Sequence, residues 1–188
     1  MGFAIAEQLA EVGANVELVS GPVNLSTSNS LINITRVNTA EEMYHACLSV
    51  FPKCSGAILS AAVADYRTVD ISPLKIKKTE IDADVLTLNL VKNKDILAAL
   101  GNIKTKNQLL VGFSLETHNE AQYAIEKLKR KNCDFIIMNS LKNEGAGFGL
   151  DTNRISIITS EGETIEYPKK SKNEVAWDIV DFIITRYF

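Results

Sequence analysis

Apolar residues recur along the chain at helical and strand spacings in turn, and that alternation predicts helices and strands one after another. Over residues 3–12, Ile5, Leu9 and Val12 fall on one helical face, and Gly13 stands where a C-cap glycine belongs. Residues 16–19 read as a strand stopped by Gly21-Pro22, and Ile32 and Ile34 alternate in a second strand. Thr39 with Glu42 forms a capping box ahead of a helix presenting Met43, Cys47, Val50 and Phe51, ended by Pro52. Ala57-Ile58-Leu59 is a short apolar run of the kind that fills a strand buried on both faces. Leu86, Leu88 and Leu90 alternate with Thr87 and Asn89, which predicts a half-exposed strand over 85–91. Asn93 or Asp95 is placed to cap a short helix starting near Ile96. Residues 109–113 and 135–138 are further buried strands. Between them a helix over 119–131 turns Ala121, Ala124, Ile125 and Leu128 inward and sets Tyr123, Lys127 and Lys131 on another face. A glycine-rich loop over 139–150 follows, then a hairpin of 155–158 with 164–167. A last amphipathic helix carries Trp177, Ile179, Val180 and Ile183.

This order predicts a doubly wound, mostly parallel α/β sheet, Rossmann-like, with an added C-terminal hairpin, as one domain over residues 1–188. Such a fold begins with a strand and a glycine-rich turn ahead of its first helix. Neither precedes residue 3, so Met1 reads as an internal methionine and the domain as truncated at its amino end. With 188 residues, 46% of them hydrophobic, the chain can bury one α/β core. A net charge of -3 argues against a general nucleic-acid binder, so an anionic ligand would have to meet a local lysine patch. The three cysteines, Cys47, Cys54 and Cys133, form no Cys-x-x-Cys pair, which points to reduced thiols rather than disulfides or zinc. With no basic leader and no apolar run of spanning length, the expectation is a cytoplasmic protein without a membrane partner.

Candidate chemistry gathers over residues 59–78. Beyond the apolar strand, Ser60, Ala61 and Ala62 leave room for a flat group against backbone, Asp65 supplies an acceptor, and Lys75, Lys77 and Lys78 bring positive charge. Ligands of parallel sheets bind beyond the carboxyl ends of strands, so the arrangement suits a nucleotide with its phosphates. It also reads as a buried strand followed by a solvated loop whose lysines serve solubility. Tyr123-Ala-Ile-Glu-Lys127, with Ser114 upstream, fits the Tyr-x-x-x-Lys dyad of short-chain dehydrogenases and keeps an NAD(P)-dependent oxidoreductase as the alternative reading. Against it, Ser20-Gly21-Pro22 stands where an acid would hold the NAD ribose, and no Gly-x-Gly-x-x-Gly occurs. His45, two residues from Cys47, matches no common metal spacing and reads as a partly buried helix histidine.

Taken together, Ala61-Ala62-Val63-Ala64-Asp65-Tyr66-Arg67, Lys75-Ile76-Lys77-Lys78, Val91-Lys92-Asn93-Lys94-Asp95-Ile96, Val111-Gly112-Phe113 and the segment 127–132 resemble the bacterial phosphopantothenoylcysteine synthetase family. They are equally similar to the carboxy-terminal half of the bifunctional coenzyme A biosynthesis proteins. Gly147-Phe148-Gly149 with Asp151 and Asn153 fits the same pattern. The resemblance implies a ligase, dimeric in the family, that uses CTP and Mg²⁺ to join cysteine to 4'-phosphopantothenate through an acyl-cytidylate. FMN would enter only with a decarboxylase half fused upstream. By that likeness the cytosine and ribose lie near Ala61 and Phe113, and Asp65 with Asn93, Lys94, Asp95 and Ile96 holds the nucleotide. Lys75, Lys127 and Lys131 meet the phosphates, with Lys75 on a lid that closes over the intermediate. The arginine, asparagine and Ser-Ser-Gly turn that the family carries just ahead of the first helix have no counterpart here.

Overall fold

The computed structural model describes residues 1–70, 72, 74, 86–116, 120–140 and 152–188. In chain order the elements are α1 (Gly2–Glu11), β1 (Val16–Ser20), β2 (Ile32–Arg36), α2 (Ala40–Val50), a 3-10 turn (Phe51–Lys53), β3 (Gly56–Leu59), β4 (Tyr66–Thr68), β5 (Leu90–Lys92) and α3 (Ile96–Ile103). They continue with β6 (Leu109–Glu116), α4 (Glu120–Arg130), β7 (Phe135–Ser140), β8 (Thr152–Asn153), β9 (Ile155–Thr159), β10 (Thr164–Glu166), β11 (Lys170–Ser171) and α5 (Lys172–Tyr187). The main sheet has the order β10-β9-β7-β6-β3. Within it β3, β6 and β7 run parallel, and the β9–β10 hairpin is antiparallel. A separate parallel pair, β1 with β2, lies outside that sheet, and β4 with β5 forms an antiparallel ribbon.

Side chains alternate across a strand, so each central strand feeds both faces. Val111, Phe135, Ile137 and Ile157 pack with Ile5 of α1 and with Val175, Ala176, Ile179, Val180 and Ile183 of α5. Their sequence neighbours Leu110, Ile136, Met138 and Ile158 pack on the other face with Met43 of α2, Leu97 and Leu100 of α3, and Ala124 and Leu128 of α4. The runs Leu109-Leu-Val111 and Phe135-Ile-Ile-Met138 are therefore apolar at consecutive positions rather than at alternate ones. Burial in the second cluster pushes the Cys133 thiol up to about 12, and Cys47 of α2 up to about 11. The predicted doubly wound sheet with its terminal hairpin is the one observed.

The helix ends follow their local chemistry. Thr39 Oγ1 accepts from Glu42 N at 3.1 Å, but Glu42 Oε2 accepts from Asn38 N at 2.7 Å, one residue short of a closed capping box. The complete box is at α5, where Ser171 Oγ accepts from Glu174 N and Glu174 Oε2 accepts from Ser171 N at 2.9 Å. Gly13 ends α1 with φ +90°, the left-handed conformation expected of it.

Several expectations are corrected. Val12, Ile125 and Trp177 are exposed rather than inward. Val12 lies past the last turn of α1, whose buried positions are Ile5, Ala6 and Ala10, and Trp177 sits between the inward pairs Val175–Ala176 and Ile179–Val180. His45 is exposed, with Nε2 3.0 Å from Glu41 Oε1. β3 is only half buried, because it is an edge strand. The strand expected over 85–91 shrinks to β5, and Leu86, Leu88 and Leu90 are all exposed, since the β4–β5 ribbon lies off the main sheet and no described element packs over it. Val85, Asn119, Lys75, Lys77, Lys78, Gly147 to Gly149 and Asp151, and the side chains of Ala121 and Tyr123, lie outside the described residues.

Asp134 ties the central strands together. Its Oδ2 accepts from Leu110 N at 2.6 Å, and Lys104 Nζ donates to Oδ1 and Oδ2 at 2.8 and 2.9 Å. The Lys104 side chain is only 10% exposed, so removing its partner strands a nearly buried cation and an amide together. Asp134→Ala is expected to cost about 3 kcal/mol, read as a lower urea midpoint with unchanged slope.

Candidate functional site

One cavity of about 2720 Å³ runs along β1 and β3 and is lined as well by the residues beyond the carboxyl end of β3 and by Phe113 and Asn139 of β6 and β7. Beyond β3 the chain runs without regular structure through Ser60 to Ala64, and small side chains keep its backbone accessible. Asn93, just after β5, clips this run in place. Its N donates to Asp65 O at 2.8 Å, its Nδ2 donates to Ala64 O at 2.8 Å, and its Oδ1 accepts from Arg67 Nη1 at 3.0 Å. Arg67 also donates to Lys92 O at 3.1 Å. Asn93 thus acts as a positioning residue for the segment that carries Ala61 and Asp65, both of which are exposed to the cavity.

The next three residues hold the start of α3. Lys94 Nζ donates to Glu41 Oε1 at 2.5 Å and lies 4.8 Å from the centre of the Tyr44 ring, so it fastens the site to α2. That hydrogen bond holds the Glu41 carboxyl below its usual range. Asp95 is the N-cap, its Oδ1 accepting from Ala98 N at 2.9 Å. Its Oδ2 accepts from Lys131 Nζ. Burial works to raise the Asp95 pKa, but the Lys131 ammonium and the Ala98 amide outweigh it, and the group is held below the ordinary value. The Ile96 side chain is buried in the core, and the residue also lines the cavity.

The floor comes from β6 and α4. Phe113 is half buried and packs against the α1–α5 core, and Lys127 Nζ donates to Phe113 O at 2.7 Å. Lys131 is only 11% exposed. It is drawn close because α3 touches the turn after α4 at Gly101, where any Cβ would overlap the Lys131 carbonyl. Asn132 there takes the left-handed conformation, φ +52°, and its Nδ2 donates to Gly101 O at 2.8 Å.

Ala61, Asp65, Asn93, Lys94 and Asp95 therefore line the same cavity as Ile96, Phe113, Lys127 and Lys131, although they come from segments far apart in sequence. Lys75 lies outside the described residues. The partners of the lysines are not legible in sequence: Asp95 and Lys131 are 36 positions apart, and a carbonyl acceptor such as Phe113 O leaves no mark in the side-chain pattern. Two further lining residues carry no earlier assignment of role, Asn139 at the end of β7 and Asn153 in β8. Asn139 Nδ2 donates to Asn153 Oδ1 at 3.4 Å, and its own Oδ1 is buried without a partner among the described residues. A polar residue closing the apolar run Phe135-Ile-Ile-Met138 is the signal that points to it.

Residues 1–187 match the family described as the DNA/pantothenate metabolism flavoprotein C-terminal domain. The chain belongs to this family. A protein called cysteine/cysteine sulfinic acid decarboxylase, from an unknown prokaryotic organism, is 48% identical over 98% of this chain and 51% of its own length. The coenzyme A biosynthesis bifunctional protein CoaBC of Haemophilus influenzae is 43% identical over 100% of this chain and 45% of its own length. The chain thus spans about half the length of these relatives. Among solved structures, the C-terminal domain of a CoaBC protein superposes with a TM-score of 0.80 at 33% identity, covering 98% of this chain and 80% of that one. The family agrees with the resemblance that the motifs carry.

The Asp95 geometry yields a test by pH. Asparagine caps as well as aspartate, so Asp95→Asn removes the charge and keeps the cap, whereas Asp95→Ala removes both and should cost about 1 kcal/mol more. A depressed folded pKa contributes stability above the unfolded value of 3.8 that is lost as pH falls through the folded value. The stability gap between the native protein and Asp95→Asn, followed by urea denaturation, is therefore expected to be full above about pH 5 and to close below about pH 4.

Proposed function

We propose that this chain is the CTP-binding unit of a phosphopantothenate–cysteine ligase. It activates the carboxylate of 4'-phosphopantothenate as an acyl-cytidylate with release of pyrophosphate, and the cysteine amine then displaces CMP. The observation that carries this reading is that the motif residues beyond β3, after β5 and on β6 and α4 all line one cavity, and open-sheet folds bind nucleotides beyond the carboxyl ends of their strands. Membership of a family that includes the CoaBC proteins supports it.

The chemistry asks for a site that tolerates two anions. A carboxylate attacks the α-phosphate only where charge on the phosphate oxygens is neutralised, a dominant contribution in phosphoryl chemistry. Lys127 and Lys131 flank the cavity and supply that charge, with Lys75 as a third cation. Each described lysine already has an oxygen partner, Phe113 O or Asp95, so an arriving phosphate exchanges one acceptor for another and no bare cation has to be stored. The base and ribose lie between the Ala61 backbone and Phe113, and Asn93 keeps that backbone in register. Among the described residues no group of three or more His, Cys, Asp or Glu could hold a metal ion. That suits Mg²⁺, which is commonly held by one or two carboxylates together with substrate phosphates; the exposed Asp65 is the candidate. When bound, the ion would further offset phosphate charge. The ligase acts as a homodimer in this reading, supported by the exposed apolar ribbon that includes Tyr66, Val69, Leu88 and Leu90. No described helix is long and apolar enough to cross a membrane.

CTP with Mg²⁺ at about 100 times its dissociation constant is expected to raise the melting temperature by several degrees, since such binding adds about 2.7 kcal/mol. NADP should leave it unchanged; a shift with NADP and none with CTP would overturn the assignment. Changing Lys127 and Lys131 together to Gln should weaken CTP at least about tenfold by calorimetry. An unchanged affinity would reduce both to helix-surface residues. Lys75→Gln should depress amide formation far more than CTP binding, and equal losses would reassign Lys75 to simple phosphate binding.

A further inference from the structure

The cavity receives lysines from both faces of the sheet, and they are not alike. α4 packs on one face through Ala124 and Leu128, and α5 packs on the other through Val175, Ala176 and Ile179. Lys127 and Lys131 therefore line the cavity from the first face, and Lys172, the first residue of α5, lines it from the second. All three are half buried. Lys127 and Lys131 have oxygen partners in Phe113 O and Asp95, whereas Lys172 has no hydrogen bond or ion pair among the described residues. Lys170, on the same stretch, is taken up by Asp178, donating to its two carboxylate oxygens at 2.8 and 2.7 Å.

A second group on the same face also lacks a partner. Phe135 and Ile137 pack on the α5 side, and side chains alternate along a strand, so Asn139 belongs to that side too. Its Oδ1 is buried and accepts from no described donor. Asn139 and Lys172 share one corner of the cavity: Asn139 Nδ2 donates to Asn153 Oδ1 at 3.4 Å, Asn153 pairs with Lys170 between β8 and β11, and Lys172 follows directly after Ser171. The corner adjoins the segment beyond β3. Lys172 lies beside Met1, and at the next residue a Cβ on Gly2 would come 3.0 Å from Ser60 Oγ, adjacent to Ala61.

These two groups ask for opposite things. An ammonium needs an anion and a buried carbonyl oxygen needs a donor, and a ligand that supplies both carries a carboxylate and an amine on one small frame, as an α-amino acid does. A triphosphate would answer the lysine but turn like charge toward the amide oxygen. We propose that this corner is the amino-acid subsite of the ligase, where Lys172 binds the carboxylate of the incoming cysteine and Asn139 Oδ1 holds its amine. The proposal rests on the ligase reading above. Lys127 and Lys131 then serve the nucleotide from one face while the amino acid enters from the other. Held beside the Ala61 segment, the ammonium sheds one proton to water, and the freed amine attacks the acyl carbonyl carbon of the cytidylate. The C–N bond forms, the C–O bond to the phosphate breaks, CMP leaves with the electron pair, and the nitrogen gives a second proton to water. Asn139 contributes by fixing the direction of attack.

The test compares L-cysteine with cysteamine, which keeps the amine and thiol but has no carboxylate, as acceptors at saturating CTP and 4'-phosphopantothenate. Lys172→Gln is expected to lower kcat/KM for cysteine at least about tenfold, the worth of a charge-assisted hydrogen bond, and to leave that for cysteamine and the calorimetric affinity for CTP unchanged. Lys172→Arg, which keeps the charge, should restore most of the preference for cysteine. Asn139→Ala should lower kcat/KM for both acceptors, since both present the amine. Equal losses with the two acceptors in Lys172→Gln, or no loss with either, would overturn the carboxylate contact. Weakened CTP in that variant would assign Lys172 to the triphosphate and overturn it as well, and unchanged rates in Asn139→Ala would overturn the amine contact. Failure of the ligase reading has a different signature, no CTP-dependent amide from either acceptor in the native protein. Calorimetry then decides the subsite by itself: native protein binding cysteine more tightly than cysteamine, and Lys172→Gln binding the two alike, supports it, and no preference in the native protein overturns it.

Discussion

Two-sided burial of β6 and β7 is the constraint from which the remaining geometry follows. These strands have helices on both faces, so Leu110, Val111 and Phe135 to Met138 are committed to packing, and chemistry is left to the strand ends. The helix layer under them has to approach closely, and the tightest approach is at Gly101, against the Lys131 carbonyl. That contact, with Asn132 folded into the left-handed region beside it, brings the amino end of α3 and the carboxyl end of α4 together. Asp95 and Lys131 pair because the helices that carry them cannot sit elsewhere.

Sequence reading recovered what depends on period and local capping, and missed what depends on lateral context. The strands and helices around Met43, Leu110, Ile136 and Ile179 were legible because burial on a face imposes a repeat on the residues. Val12, Ile125 and Trp177 misled because a large apolar residue at roughly helical spacing looks inward until the partner surface is known; α1 packs on β1–β2 through Ala6 and Ala10 instead. β3 reads as central from its composition, and only the strand order reveals it as an edge. The capping box at Ser171 carries the same Ser/Thr-x-x-Glu signal as Thr39 with Glu42, and is equally legible in the sequence.

In the candidate site, the residues that line the cavity were legible as motifs, while their partnerships were not. Asn93 looks from sequence like one of two helix caps; in the fold the cap is Asp95, and Asn93 is the clip that holds the Ala64–Asp65 backbone. Lys94, expected among the residues that hold the nucleotide, is itself held by Glu41 and the Tyr44 ring. A run of neighbouring polar residues can thus divide its labour between ligand and scaffold, and only long-range contacts say which is which.

The raised pKa values of Cys47 and Cys133 bear on what the protein does not do. Thiols at about 11 and 12 stay protonated at neutral pH, and a protonated sulfur is a poor nucleophile. The same protonation disfavours oxidation of both side chains, since the thiolate is the form that peroxide attacks.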